Sequence, residues 1–146
     1  MKKIILLFFT LLANVSYAET AFNIYGISIH SKSGFNEINP GIGIEHRLNS
    51  DWSIIGGTYK NSINNQSVYA GAKYNLLEYE HIRLNLQGGL ITGYGTSENK
   101  NKIFPMIVPE VCLNISKKSP GVCAVLIPPI SNVVGTIGVY LHVPIN

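Results

Sequence analysis

The chain is poor in charge, in cysteine and in long apolar runs, and each shortage removes a class of protein. Only 13% of its 146 residues are charged, against about a quarter in an ordinary soluble domain, and mean hydropathy is +0.20. A water-exposed globular surface is hard to build from that composition. Yet no stretch approaches eighteen consecutive apolar residues, which excludes a helical membrane protein. The two cysteines, Cys112 and Cys123, have no second ligand pair between them, so a zinc site lacks its donors. With Lys2 and Lys3 set aside, nine basic side chains face eight acidic ones, and no electrostatic case for nucleic acid remains. One absence points the other way. Outer-membrane barrels often close on an aromatic residue, whereas this chain finishes Leu141-His142-Val143-Pro144-Ile145-Asn146.

What is present begins with a secretory signal. Lys2 and Lys3 precede an apolar run from Ile4 to Leu12 and then Ser16-Tyr17-Ala18, a layout that predicts cleavage after Ala18. The run is too short to cross roughly 30 Å of hydrocarbon as a helix. The expected domain organisation is therefore a signal peptide over 1–18 and a single domain over 19–146, whose 128 residues suffice for one core.

Turn-forming clusters divide that domain into eight short segments rich in Val, Ile, Tyr and Gly, at about 20–30, 40–48, 52–60, 66–75, 80–92, 104–115, 121–128 and 133–143. In the fifth, Ile82, Leu84, Leu86 and Leu90 alternate with Arg83, Asn85, Gln87 and Gly89. In the second, Ile42, Ile44 and Leu48 alternate with Gly41, Gly43, Glu45 and Arg47. Period-two alternation gives each strand one face for lipid and one for a polar lumen. The reading is all-β: an eight-stranded antiparallel transmembrane β-barrel in the bacterial outer membrane, closed so that no sheet edge is left in lipid. A soluble eight-stranded barrel is the alternative, and it would turn the apolar face inward.

A chain that enters from the periplasm must place successive connections alternately outside and inside. The outer ones are then 31–39, 61–65, 93–103 and about 128–132, and the inner ones 49–51, 76–79 and 116–120. On this parity His46, His81 and His142 fall at or near the inner end, while His30 closes the first strand at the outer rim. Asn61 and Ser62, directly after the third strand, share that rim. An imidazole, a hydroxyl and an amide are the parts of an activated serine: the ring takes the hydroxyl proton, and the third group orients the ring or stabilises an oxyanion. Asn-Ser is equally ordinary turn chemistry.

These landmarks resemble the outer-membrane lipid A palmitoyltransferase family. The likeness is carried by Ile29-His30 at the end of the first strand, by Tyr59-Lys60-Asn61-Ser62 where the family has Phe-Lys-Asp-Ser, by Gly89-Leu90-Ile91-Thr92-Gly93, and by a proline-punctuated sixth segment. The resemblance implies an eight-stranded barrel with an outward-facing site, His30 and Ser62 as catalytic pair, and Asn61 in the place of the family's acid. An amide cannot supply the negative charge that holds an imidazolium. The implied partners are phospholipid and lipid A, with a monomeric protein and no metal or organic cofactor. Pro105, Pro109, Pro128 and Pro129 lack backbone donors and so mark places where strands cannot bond, through which a lipid chain would enter sideways; the alternative is prolines at strand ends or bulges. Gly26, Gly41, Gly43, Gly56, Gly71 and Gly89 would leave lumenal space for such a chain, or simply relieve crowding at bends.

Cys112 and Cys123 flank one hairpin turn and are expected to form a disulfide in an oxidising compartment. Glu45, Arg47, Lys73 and Arg83 fall on lumenal faces and are expected to form an interior ion-pair network. Three functions fit: transfer of a fatty acyl chain from phospholipid to lipid A, a lipid A deacylase using the same pair, or a non-enzymatic barrel with a structural or surface-interaction role centred on the loop over 94–102.

Overall fold

A computed structural model describes residues 19–95, 98–99, 101–116, 118–128 and 134–145. The signal segment read over 1–18 lies outside them. The described chain is all strand: β1 Thr20–His30, β2 Ile38–Arg47, β3 Trp52–Lys60, β4 Gln66–Tyr79, β5 Ile82–Ile91, β6 Phe104–Asn114, β7 Gly121–Ile127 and β8 Thr136–Ile145. Each pairs antiparallel with the next, and β8 returns to β1, closing an eight-stranded barrel.

The alternation decides which way each side chain points. Ile24, Ile29, Ile42, Ile44, Ile54, Val68, Leu90, Ile107 and Leu141 are all exposed on the outside. Asn23, Glu45, Ser53, Lys73, Asn85, Gln87, Glu110 and His142 are buried inside. A barrel with its apolar belt outside and its polar residues within has the surface of a protein whose solvent is hydrocarbon. Trp52 and Tyr74 pack against each other on that belt near one end, ring centroids 4.8 Å apart and planes tilted by 53°.

Two departures from the expected segments are informative. β4 runs on through the expected 76–79 connection to Tyr79, because a bulge between Asn75 and Leu77 shifts the register. The turn that follows is tight, with Glu80 at φ 43°. The last strand likewise runs from Thr136 to Ile145, later than the expected 133–143.

The lumen is layered. At its middle, Lys73 Nζ lies 2.6 Å from Glu45 Oε2 and 2.9 Å from Glu110 Oε1, all three nearly without solvent contact. Glu110 also accepts from Asn85 Nδ2 at 2.9 Å, from Gln87 and from the Tyr140 hydroxyl. His142 Nδ1 pairs with Asn23 Oδ1 at 2.9 Å. Nearer the short-turn end, Arg47 binds Glu78 at 3.0 Å and Glu19 at 3.7 Å. Of the interior ion-pair network read from the sequence, Glu45, Lys73 and Arg47 are paired, whereas the buried Arg83 Nε has no hydrogen-bond partner. Beside this network the Cys112–Cys123 disulfide joins facing residues of β6 and β7, both buried. Its sulfurs lie near Glu110, with Cys112 Sγ 3.2 Å from Oε1, but bonded to one another they offer no thiolate to a metal.

Above this layer stand Tyr25, Tyr59 and Tyr69 with Ile55 and Ile91. The two readings of the glycines divide by position: Gly26 has nothing within 4 Å of where a Cβ would stand, whereas Gly43 and Gly71 are hemmed in. The hydroxyls of Tyr69 and Tyr25 occupy the position a Cβ on Gly43 would need, and Gly71 lies so close to β5 that its Cβ would sit 2.8 Å from Gly89 Cα. These glycines admit tyrosine rings and neighbouring backbone. The room in the lumen lies higher, toward the long connections.

Candidate functional site at the long-loop mouth

At the open end the strands are joined by four connections, 31–37 after β1, 61–65 after β3, 92–103 after β5 and 128–135 after β7, the last two described only in part. The first binds two of the sequence-predicted residues together. Its Phe35 stacks on the His30 ring, centroids 5.1 Å apart, and the next residue, Asn36, donates its N–H to the Ser62 carbonyl at 2.7 Å. His30 and Ser62 therefore line one cavity of about 90 Å³, with Tyr25, Ser28, Tyr59, Tyr94 and Thr136 around them. No hydrogen bond joins the pair: both ring nitrogens of His30 are buried without a partner.

Asn61 is placed differently. Fully buried, its side chain accepts from the N–H groups of Ile63 at 3.0 Å and Asn65 at 2.9 Å, and donates to Ser67 Oγ and the Gly93 carbonyl, each at 2.9 Å. Every bonding direction of the amide is committed. It shapes the 61–65 turn and ties it to the β5–β6 connection, where Gly93 takes φ 91°. The structure thus brings His30 and Ser62 to one wall and turns the Asn61 amide away from both.

Alternation alone did not single out the tyrosines. Tyr59 and Tyr94 share a hydrogen bond of 3.0 Å at the mouth. Desolvation raises the Tyr94 phenol from its ordinary value against the opposing bonds from Tyr59 and Ser62, so at neutral pH it stands as an uncharged hydroxyl beside Ser62. Tyr25 and Tyr59 occupy inward phases of β1 and β3, a signal the sequence did carry.

Below the mouth opens a larger cavity of about 440 Å³, lined by Tyr25, Tyr69, Ile91, Phe104, Met106 and Val108 from inside. Pro105 and Ile107, on the opposite face of β6, line it too. One strand can show both faces to one cavity only where its edge is free. β7 pairs with β6 from Glu110↔Val125 to Asn114↔Gly121, and above that Phe104–Pro109 has no strand partner on this side among the described residues. The Cα atoms of Cys112 and Cys123 are 4.0 Å apart, the spacing of a non-hydrogen-bonded pair. Hence the backbone groups of Cys112 face β5, and the odd-numbered residues of β6 face β7. Pro105 and Pro109 both fall on that edge, leaving Ile107 as its N–H donor. A backbone donor bare in hydrocarbon costs several kcal/mol, and two prolines remove two of them. The ladder to β5 is intact from Ile82↔Leu113 to Ile91↔Phe104.

No family model matches the chain, and no curated protein does. Among solved structures it is similar to the Yersinia pestis outer membrane protein Ail in a phospholipid bilayer nanodisc, at 16% sequence identity and a TM-score of 0.53 over 88% of this chain and 99% of that one. At that identity the likeness establishes the fold, an eight-stranded antiparallel barrel of the kind found in outer membranes.

Proposed function

We propose that the protein is a monomer spanning the bacterial outer membrane, exported on its 1–18 signal, with the long-loop mouth outward, and that it acts on lipid there. One acyl chain enters through the break beside β6 and lies in the 440 Å³ cavity, with its ester at the mouth lined by His30 and Ser62. The observation that supports this reading is the cavity lined by both faces of β6 where that strand's edge is unpaired with β7. Its volume falls in the roughly 300–1,000 Å³ range of ligand sites.

In this reading His30 takes the Ser62 proton and the hydroxyl attacks a phospholipid ester; the lysophospholipid leaves with the proton returned by His30, and a lipid A hydroxyl, its proton taken by His30, then receives the acyl group and frees Ser62. Catalytic hydrogen bonds are often open in unliganded sites and close on substrate. The resemblance to the lipid A palmitoyltransferases supports the same pair. Asn61 stands where that family has an acid, and its committed amide leaves the imidazolium without a carboxylate, so turnover is slow. Attack of the same pair on an ester of lipid A, with water as the acyl acceptor, would make the protein a lipid A deacylase.

Mass spectra of lipid A from cells with and without the protein test the proposal. A gained or lost acyl chain that disappears in Ser62→Ala and His30→Ala supports it. Unaltered lipid A with well-expressed, membrane-inserted protein refutes it. That result would favour the second reading, a non-enzymatic barrel whose 94–102 loop meets a partner, which the absence of any bond between Ser62 and His30 supports.

A further inference from the structure

The outer wall carries a second apolar hollow beside the break. A groove of about 530 Å³ runs along the lipid-facing side, lined by Ile29 of β1, Pro109 of β6, Leu126 and Ile127 of β7, and Ile137 of β8, with His30 at its rim. Ile29, Leu126 and Ile137 are exposed and face outward. The groove and the lumenal cavity are of comparable size and lie on opposite sides of the same interrupted wall. Ile127, alone among the described residues, lines the groove, the lumenal cavity and the mouth. His30 lines both the groove and the mouth, and its two buried ring nitrogens have no partner. A buried polar group without a protein partner calls for an explanation.

We infer that one two-chain glycerophospholipid straddles the wall at this point. One chain lies in the lumenal cavity, the other in the outer groove, and the glycerol ester region crosses over Ile127 with its oxygens beside the His30 ring. The ligand class follows from the shapes: two apolar hollows need two chains, and their meeting point at a lone imidazole needs the polar branch of the same molecule. A one-chain lipid fills one hollow and leaves the other to bulk lipid. The inference rests on the lumenal cavity being an acyl site, and adds the second chain and the position of the branch point.

The test uses the full mature protein carrying Ser62→Ala, to prevent turnover, in a mild detergent. Retention of dipalmitoyl phosphatidylethanolamine and of its one-chain lyso form is read by native mass spectrometry over a lipid titration. The two-chain lipid should bind at least roughly tenfold more tightly, a difference of about 1.4 kcal/mol. Ile137→Trp, which fills the groove from outside, should bring the two-chain lipid down to the one-chain level and leave the one-chain lipid unchanged. Ile44→Trp, outward on β2, should change neither. Met106→Trp should weaken both, and Val108→Phe makes the same block with a smaller added volume. Equal binding of the two lipids, or an Ile137→Trp variant that behaves like its parent, overturns the straddled arrangement while leaving the lumenal site in place. Indifference of both lipids to Met106→Trp and Val108→Phe overturns the lumenal site itself and the inference with it.

Discussion

Removing the ammonium at the centre of the lumen should unbalance the barrel more than any other single polar change. Lys73 stands between Glu45 and Glu110 at 2.6 and 2.9 Å, with almost no solvent contact on any of the three side chains. At an effective dielectric of about 20, each attraction at such distances is roughly 6 kcal/mol, opposed by several kcal/mol for stripping water from each ion. Lys73→Met deletes the attractions and leaves two buried carboxylates, which sets the expected loss at about 3–5 kcal/mol. The second variant is more diagnostic. Glu110 keeps donors from Asn85, Gln87 and Tyr140 whether or not Lys73 is present, whereas Glu45 loses its closest partner. Adding Glu45→Gln to Lys73→Met should therefore recover at least half of the deficit. Urea unfolding of the barrel in lipid vesicles, followed by the fluorescence of the single tryptophan, Trp52 on the lipid-facing belt, measures both. A Lys73→Met variant within about 1 kcal/mol of the parent, or a double variant less stable than the single, would refute the reasoning.

Three further outcomes follow from geometry. Reducing the disulfide, or replacing Cys112 and Cys123 by serine, frees a hairpin closed across a separation of 11 residues and should cost about 3 kcal/mol, read as a lower urea midpoint; an unchanged midpoint would contradict it. Asn61→Asp should destabilise by about 1–3 kcal/mol, since a carboxylate oxygen would replace the amide donor facing the Gly93 carbonyl. If the same change instead raised activity and left the midpoint alone, the turn-holding role of Asn61 would be wrong. Gly71→Ala should cost about 1–3 kcal/mol by forcing β4 off β5, while Gly26→Ala, with nothing within 4 Å of its new Cβ, should be near neutral; equal effects in unfolding would remove the close-approach argument.

Strand number, closure and the inward phase of Glu45, Lys73 and Arg47 were legible because lipid outside and polar groups inside impose a strict period of two. Where that period breaks, the sequence misleads. Leu76 and Leu77 are adjacent and apolar, which suggests a strand end, yet the bulge lets both lie on the outside within one continuous β4. The meeting of His30 with Ser62 was readable from parity, since both fall at the same end. What the Asn61 amide does was not: an asparagine in Asn-Ser-Ile-Asn-Asn has the same letters whether it points at a neighbour or folds into its own turn, and only the placement of Gly93 and Ser67 decides. The glycines divide for a related reason: a missing side chain reads as a void at Gly26, Gly43 and Gly71 alike, and only the fold shows that Tyr69 fills the space at Gly43 and β5 backbone that at Gly71.

The paired prolines of β6 also bear on solubility and assembly. An open strand margin invites any passing extended peptide to zip onto it, and inside a crowded envelope that would fuse one copy to the next. Pro105 and Pro109 deny such a visitor two of the donors it would need, so the unpaired edge is a poor template for polymerisation.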